Sequence, residues 1–200
     1  MTYKKWYHIL IRELKKAYSK SPEFAKSHGI DHILRVWKNV EKLGKKLKAD
    51  MEISIAATLL HDLGRHYPGA EGIHGPKGAK LAKPILLKIR FPKKKIPCVL
   101  EAIANHDFQT PKSKRKSKES KILYDADKMD VLSKTGIARA FMFFPNKGKD
   151  LKWIAHEFTK KDNRLVGRYK GLHFDESRKI VKKDYKYVIN YFKELKKELK

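Results

Sequence analysis

Apolar residues recur at intervals of three and four along almost the whole chain, which is the spacing of helices rather than strands. Residues 3–19 place Trp6, Leu10, Leu14 and Ala17 on one face, with Lys4, Lys5, Lys15 and Lys16 mostly elsewhere. After Ser21 and Pro22, a second helix is predicted to begin near Ser27 or Asp31 and to turn Ile33, Val36, Trp37, Val40 and Leu47 inward. Residues 53–66, ISIAATLLHDLGRH, are apolar around nearly the whole circumference of a predicted helix, the pattern of a segment at the centre of a domain. Gly64 offers that helix a stop. Pro76 suits the first turn of the next helix, which Pro84 is expected to bend. PCVLEAIANHDF reads as a short helix, QTPKSKRKSKESK as an exposed, basic, low-complexity loop, and ESKILYDADKMDVLSKTGIARAFMFF as further helix. Between residues 145 and 171 only Leu151, Ile154, Ala155 and Phe158 support a short helix. Residues 175–199 then carry a clear seam of Val181, Tyr185, Val188, Phe192, Leu195 and Leu199, suited to the core or to a second copy in a homodimer. No alternating run and no internal repeat interrupts this pattern, so the expected fold class is all-α.

Two hundred residues with 41% hydrophobic content are enough for one domain over residues 1–200 with a substantial core. One cysteine, Cys98, excludes an internal disulfide; it fits a reducing compartment and reads as a small core residue. The first 18 residues are broken by charge too often for a signal peptide or a membrane span, so the expectation is a cytoplasmic protein with no membrane partner. Lys and Arg number 48 against 22 Asp and Glu, a net charge of +26. Such a field attracts anions, from small phosphates to nucleic acid. The lysines are dispersed over helix surfaces rather than gathered in a stripe, a weaker footprint for nucleic acid and one also seen in heat-adapted proteins.

Several ionisable residues fall on the apolar stripes. His32 precedes Val36 and Val40 by four and eight residues; taken alone, it is more often a satisfied core histidine than a ligand. His28 either shares its face or sits in the turn before it. His61 follows Ala57 and Ile53 by four and eight, and Asp62 lies about 100° further round. A buried imidazole and carboxylate are costly unless something pairs with them, and together they suit one divalent cation if further ligands arrive from elsewhere. His74 is predicted at a helix N-terminus, where the dipole disfavours imidazolium; capping is the competing reading. Lys77 beside it could help hold a phosphate. His106 lies on the stripe of Val99 and Ile103. Asp127 falls between Leu123 and Val131, Asp130 on nearly the same face, and Asp125 elsewhere. Salt bridging is the alternative to metal or acid–base chemistry for these carboxylates. Arg139 is a candidate partner for a phosphate or for one of them. His156 and His173 read as surface residues.

The ordered set of His32, the His61-Asp62 pair inside LLHDLGRH and Asp127 inside YDADKMD resembles the HD-domain metal-dependent phosphohydrolases over residues 27–144. Within it, HILRV, AATLLHDLG and DADKMDVLSKTGIARAF look like the branch that includes bacterial nucleotide pyrophosphohydrolases. The resemblance implies a single-domain helical HD-domain fold in which His32, His61, Asp62 and Asp127 bind a divalent metal. Relatives with two metals add histidines, for which His74 and His106 are suitably placed, and use the equivalent of Asp62 as a bridge. The ion could be Mn, Fe, Ni, Co, Zn or Mg.

The expected chemistry is attack by metal-activated water on phosphorus in a small anionic substrate, a nucleotide or related phosphoester. Asp130 or Asp62 is the candidate proton acceptor and His106 the candidate donor to the leaving oxygen. Arg65, Lys77, Lys128 and Arg139 are candidates to neutralise the phosphate. No phosphate-binding G-x-x-x-x-G-K-[ST] loop, G-x-S-x-G elbow or C-x-x-C pair is present, which argues against NTP-driven transfer, a serine hydrolase and a zinc ribbon. A basic nucleic-acid-binding protein or phosphodiesterase, and a helical interaction module with a degenerate site, are the alternatives.

Overall fold

The structure, a computed structural model, describes residues 3–19, 29–66 and 74–200. His28 lies outside the described residues. Among those described, the regular elements are ten α-helices and short 3-10 turns, with no strand. None of the helices is long and apolar enough to cross a membrane. The chain forms two compact units, Met1–Asp127 and Lys128–Lys200.

In the first unit, α1 (Tyr3–Tyr18) buries Trp6, Leu10 and Leu14 as its pattern predicts, and Tyr18 as well. α2 (Ile30–Lys46) turns His32, Ile33, Val36, Trp37, Val40 and Leu43 inward. α3 (Met51–Leu60) is buried at every position from Ile53 to Leu60 and packs against α1, α2 and α5 (Ile96–Asn105). Burying a Leu or Ile of this core contributes about 2 kcal/mol each. Asp50 starts α3 by accepting from the backbone N–H groups of Glu52 and Ile53, at 3.0 and 3.2 Å. Ser54 and Thr58 become buriable by donating their hydroxyls to Asp50 O and Ser54 O, at 2.8 and 2.7 Å.

Residues 53–66 are not one α-helix, as the apolar run suggests. The α-helix ends at Leu60, and His61–His66 form a 3-10 turn. The cause is packing against α4 (His74–Lys88), which contains Pro84 and carries Pro76 in its first turn. A Cβ on Gly64 would stand 2.0 Å from His74 O, and one on Gly75 would stand 2.6 Å from Ala104 O. Gly64 therefore serves close approach of two backbones rather than termination. These two contacts draw the end of α3, the start of α4 and the end of α5 together.

The basic stretch after α5 exposes most of its lysines, but two of its residues, Arg115 and Ser120, are buried. Arg115 is buried, donates through Nη1 to the carbonyls of Asn105, Asp107 and Thr110 at 2.8, 3.3 and 3.2 Å, and lies 3.9 Å from the Tyr124 ring. α6 (Lys118–Val131) follows and runs from the first unit into the second. Asp125 is fully buried, contrary to its expected place away from the apolar face. Cys98 is a free, half-buried thiol rather than a core residue.

The second unit continues with α7 (Lys134–Phe143), α8 (Leu151–Thr159), α9 (Arg164–Gly171) and α10 (Asp175–Glu198). α10 packs on α7, α8 and α9 through the predicted seam, with Val181, Val188 and Phe192 buried. Phe158 and Phe192 stack with ring centres 4.6 Å apart, and Tyr169 and Tyr185 at 4.2 Å. Asp150 and Asn163 cap α8 and α9 through backbone N–H groups. His156 is exposed and His173 half-buried, in keeping with their surface reading.

Candidate metal centre

His61 and Asp62 enter the interior of the first unit from the 3-10 turn, His32 from α2, His74 from the first residue of α4, His106 from the end of α5 and Asp127 from α6. All six are buried. Asp62 stands at the centre. Its Oδ2 lies 3.6 Å from Nε2 of both His32 and His61, and its Oδ1 lies 3.6 Å from His74 Nε2 and 3.5 Å from His106 Nε2. His32 Nε2 is also 3.3 Å from Asp127 Oδ1. One carboxylate thus faces a pair of imidazoles on each side.

Backbone carbonyls fix which ring nitrogen carries a proton. His61 Nδ1 donates to Thr58 O at 2.7 Å and His106 Nδ1 to Ile103 O at 2.6 Å, because a carbonyl can only accept. His74 Nδ1 lies 2.7 Å from Asp107 Oδ2, which likewise offers only an acceptor when ionised. In each neutral ring the lone pair is therefore on Nε2, the atom turned toward Asp62. Burial pushes the His61 imidazole down to about 4, overriding the opposing charge of Asp62, so the ring is neutral near pH 7. Burial also holds His74 below its ordinary value, although Asp107 opposes this.

This donor set fits a cation. His61 Nε2 is buried without a hydrogen-bond partner. The facing Nε2 lone pairs of His74 and His106 are 3.1 Å apart, a repulsive arrangement unless a proton or a cation lies between them. With Asp62 Oδ1 they form a triangle of sides 3.1, 3.5 and 3.6 Å. Its corners lie about 2 Å from a common centre, the bond length of a first-row metal to nitrogen or oxygen. His32, His61 and Asp127 form a second group whose ligand atoms lie within 4.8 Å of one another. Neutral imidazole with carboxylate suits Mn, Fe, Co, Ni or Zn.

The other expected site residues are distributed as follows. Arg65 Nε contacts Asp62 Oδ1 at 2.7 Å, and although burial opposes its charge, Asp62 raises its already high pKa. Lys77 is half-buried in the first turns of α4. Asp130, Arg139 and Lys128 belong to the second unit. There Arg139 donates to Asp130 Oδ2 at 2.6 Å, so of its two candidate partners Arg139 takes the aspartate, and Lys128 is buried. Asp107, which orients His74, was not singled out from the pattern, though its signal was a second adjacent His-Asp pair, His106-Asp107. Tyr18 was also missed; burial, then the charge of Asp62, pushes its phenol up.

Known proteins resemble this chain in sequence and in fold. YpgQ of Bacillus subtilis (strain 168), an uncharacterized protein, is 27% identical over 184 residues, covering 86% of this chain and 84% of YpgQ. Among solved structures, a predicted HD superfamily hydrolase from an uncultured Thermotogales bacterium is 26% identical with a TM-score of 0.65, over 96% of this chain and 92% of that one. YpgQ in complex with ADP is 25% identical with a TM-score of 0.70, over 92% and 97% of the two chains. An HD-superfamily hydrolase from Bacillus thuringiensis, at 23% identity, shares the fold with a TM-score of 0.76 over 99% and 98%. The sequence profile of the HD domain matches residues 29–132, a span that contains all six buried histidines and aspartates described above. The chain belongs to the HD domain family.

Proposed function

We propose that this chain is a metal-dependent phosphohydrolase that cleaves phosphate ester or anhydride bonds of nucleotides or related small phosphoesters. The observation that carries the reading is the Asp62 carboxylate with two imidazole Nε2 atoms within 3.6 Å of each of its oxygens. The structure of YpgQ with ADP supports a nucleotide as ligand, as does the net charge of +26. The match to YpgQ over 86% of this chain supports treating residues 1–200 as one functional domain.

His32, His61, Asp62 and Asp127 would hold one divalent cation, with Asp62 Oδ1, His74 and His106 as ligands for a second. The chemistry such a cation supplies when bound is a hydroxide nucleophile near neutral pH, together with withdrawal of charge from phosphoryl oxygens. The protein fixes the ligand geometry in advance. Thr58 O, Ile103 O and Asp107 hold three imidazoles in the tautomer that presents Nε2, so no proton need leave those rings when a cation enters. On this reading His106 serves in binding rather than in proton donation. Asp130 already accepts from Arg139 at 2.6 Å, a strong charge-assisted bond that weakens it as a base. Arg65 and Lys77 are the chain's candidates in the first unit for phosphate oxygens.

The test is a screen of the purified protein against nucleoside mono-, di- and triphosphates with Mn, Co, Ni, Zn or Mg, reading released phosphate and pyrophosphate. Hydrolysis that requires a divalent ion and stops on chelation is expected. Absence of hydrolysis with every ion, alongside DNA or RNA binding that falls steeply with salt, would transfer the case to a nucleic-acid-binding protein.

A further inference from the structure

Arg65 does more than stand near the site. It follows Asp62 by three residues in a 3-10 turn, where positions i and i+3 eclipse one another, so its guanidinium lies over the carboxylate. The contact is specific: Nε approaches Oδ1 at 2.7 Å, and Oδ1 is the oxygen facing His74 and His106. Both His74 and His106 are buried, whereas the Arg65 side chain retains 26% of its exposure.

The same oxygen is therefore claimed twice. As a corner of the triangle with His74 Nε2 and His106 Nε2, it is one third of a metal-sized ligand set. As the acceptor of Arg65, it already carries a positive partner. A guanidinium and a divalent ion on one buried oxygen atom repel each other strongly, because little solvent lies between them to screen the charges. The first site, His32, His61 and Asp127, is faced by Asp62 through Oδ2 rather than Oδ1 and so avoids sharing an atom with the guanidinium.

We infer that Arg65 is an internal counter-ion that competes with a second divalent cation for Asp62 Oδ1, so that the His74–His106 site loads only when Arg65 lets go. The inference rests on the metal-binding reading above and deepens it. The chain carries one resident cation of high affinity and a second whose binding is set by the Arg65–Asp62 pair. Anything that draws the guanidinium outward favours loading of the second site, and by linkage a loaded second site frees the guanidinium for an anion.

Calorimetric titration of Mn2+ into the chelator-stripped, full-length wild-type protein, Arg65→Gln and Arg65→Met separates the two sites. Expected are a first equivalent bound alike by all three proteins and a second bound at least about tenfold more tightly by both variants than by wild type. The rise in melting temperature on adding excess Mn2+ should also be larger in both variants, because their metal-free state lacks the counter-ion. A common first-equivalent affinity shows that the variants are folded. A second equivalent bound within about twofold by all three proteins, or absent from the variants, overturns the inference while leaving the metal reading intact. Binding of no Mn2+ by any of them overturns the metal reading, and the inference falls with it.

Discussion

Arg115 illustrates how a single residue can hide in a composition. It is the sole arginine in QTPKSKRKSKESK, a stretch whose lysines mark it as solvated, and four of those five lysines are indeed exposed. Only arginine supplies a planar fork that can serve several carbonyls while its face rests on a tyrosine ring. The partners, Asn105, Asp107, Thr110 and Tyr124, become neighbours only after folding, so spacing along the chain gives no sign of them. Because the carbonyls it serves flank His106 and include Asp107, Arg115 steadies the turn that carries two residues of the metal centre. Arg115→Ala should lower unfolding free energy by about 2–3 kcal/mol in urea titration. Arg115→Lys should recover less than half of that loss. The histidines were more legible: His32, His61 and His106 were placed inward by three-and-four spacing, and all are buried.

At the scale of elements, periodicity located most of the helices, missed α9 (Arg164–Gly171) and misjudged the end of α3. The run ISIAATLLHDLGRH is largely apolar through Leu60, and nothing within it signals a change from α to 3-10 geometry at His61. The change comes from the backbone of α4 pressing on Gly64, a tertiary effect. Gly64→Ala should therefore cost more than about 3 kcal/mol, well beyond the ordinary penalty of an overpacked site. Thermal unfolding checks it, and a loss below about 1 kcal/mol would mean that the two backbones can part easily.

A second element-scale device fastens the start of α3. Lys95 bridges Asp50 and Glu52 at 2.7 and 2.8 Å, and Trp6 donates its indole N–H to Glu52 at 3.0 Å. Burial alone would raise the Asp50 carboxyl, but Lys95 and the capped N–H groups outweigh it and hold it below the usual range; Lys95 does the same for Glu52. A depressed folded pKa contributes stability above the unfolded value of about 4, and that stability is lost as pH falls through the folded value. Lys95→Met should accordingly lose about 1 kcal/mol at pH 7, with the difference from wild type shrinking below about pH 4. A difference that stays constant from pH 7 to pH 3 would exclude a charge-based role for Lys95.

Across the whole molecule, the excess of positive charge is spread over helix surfaces in both units, while the buried ionisable residues near Asp62 come from sequence positions 32, 61, 62, 74, 106 and 127. Segments that far apart in the chain can share a cation only when folded, so an ion bound there stabilises the native state by mass action. The four principal candidate ligands could be named from LLHDLGRH, YDADKMD and the early His32. The resemblance also offered His74 and His106 as ligands for a second ion around Asp62, but their distances from it were not legible, because they depend on how closely α4 and α5 approach the 3-10 turn. The most direct measurement is metal content per chain, by elemental analysis after purification, for wild type and Asp62→Ala. The account predicts at least one divalent ion per wild-type chain, removable by chelation with a fall in melting temperature, and none in the variant. Full metal content and an unchanged chelation response in Asp62→Ala would contradict it.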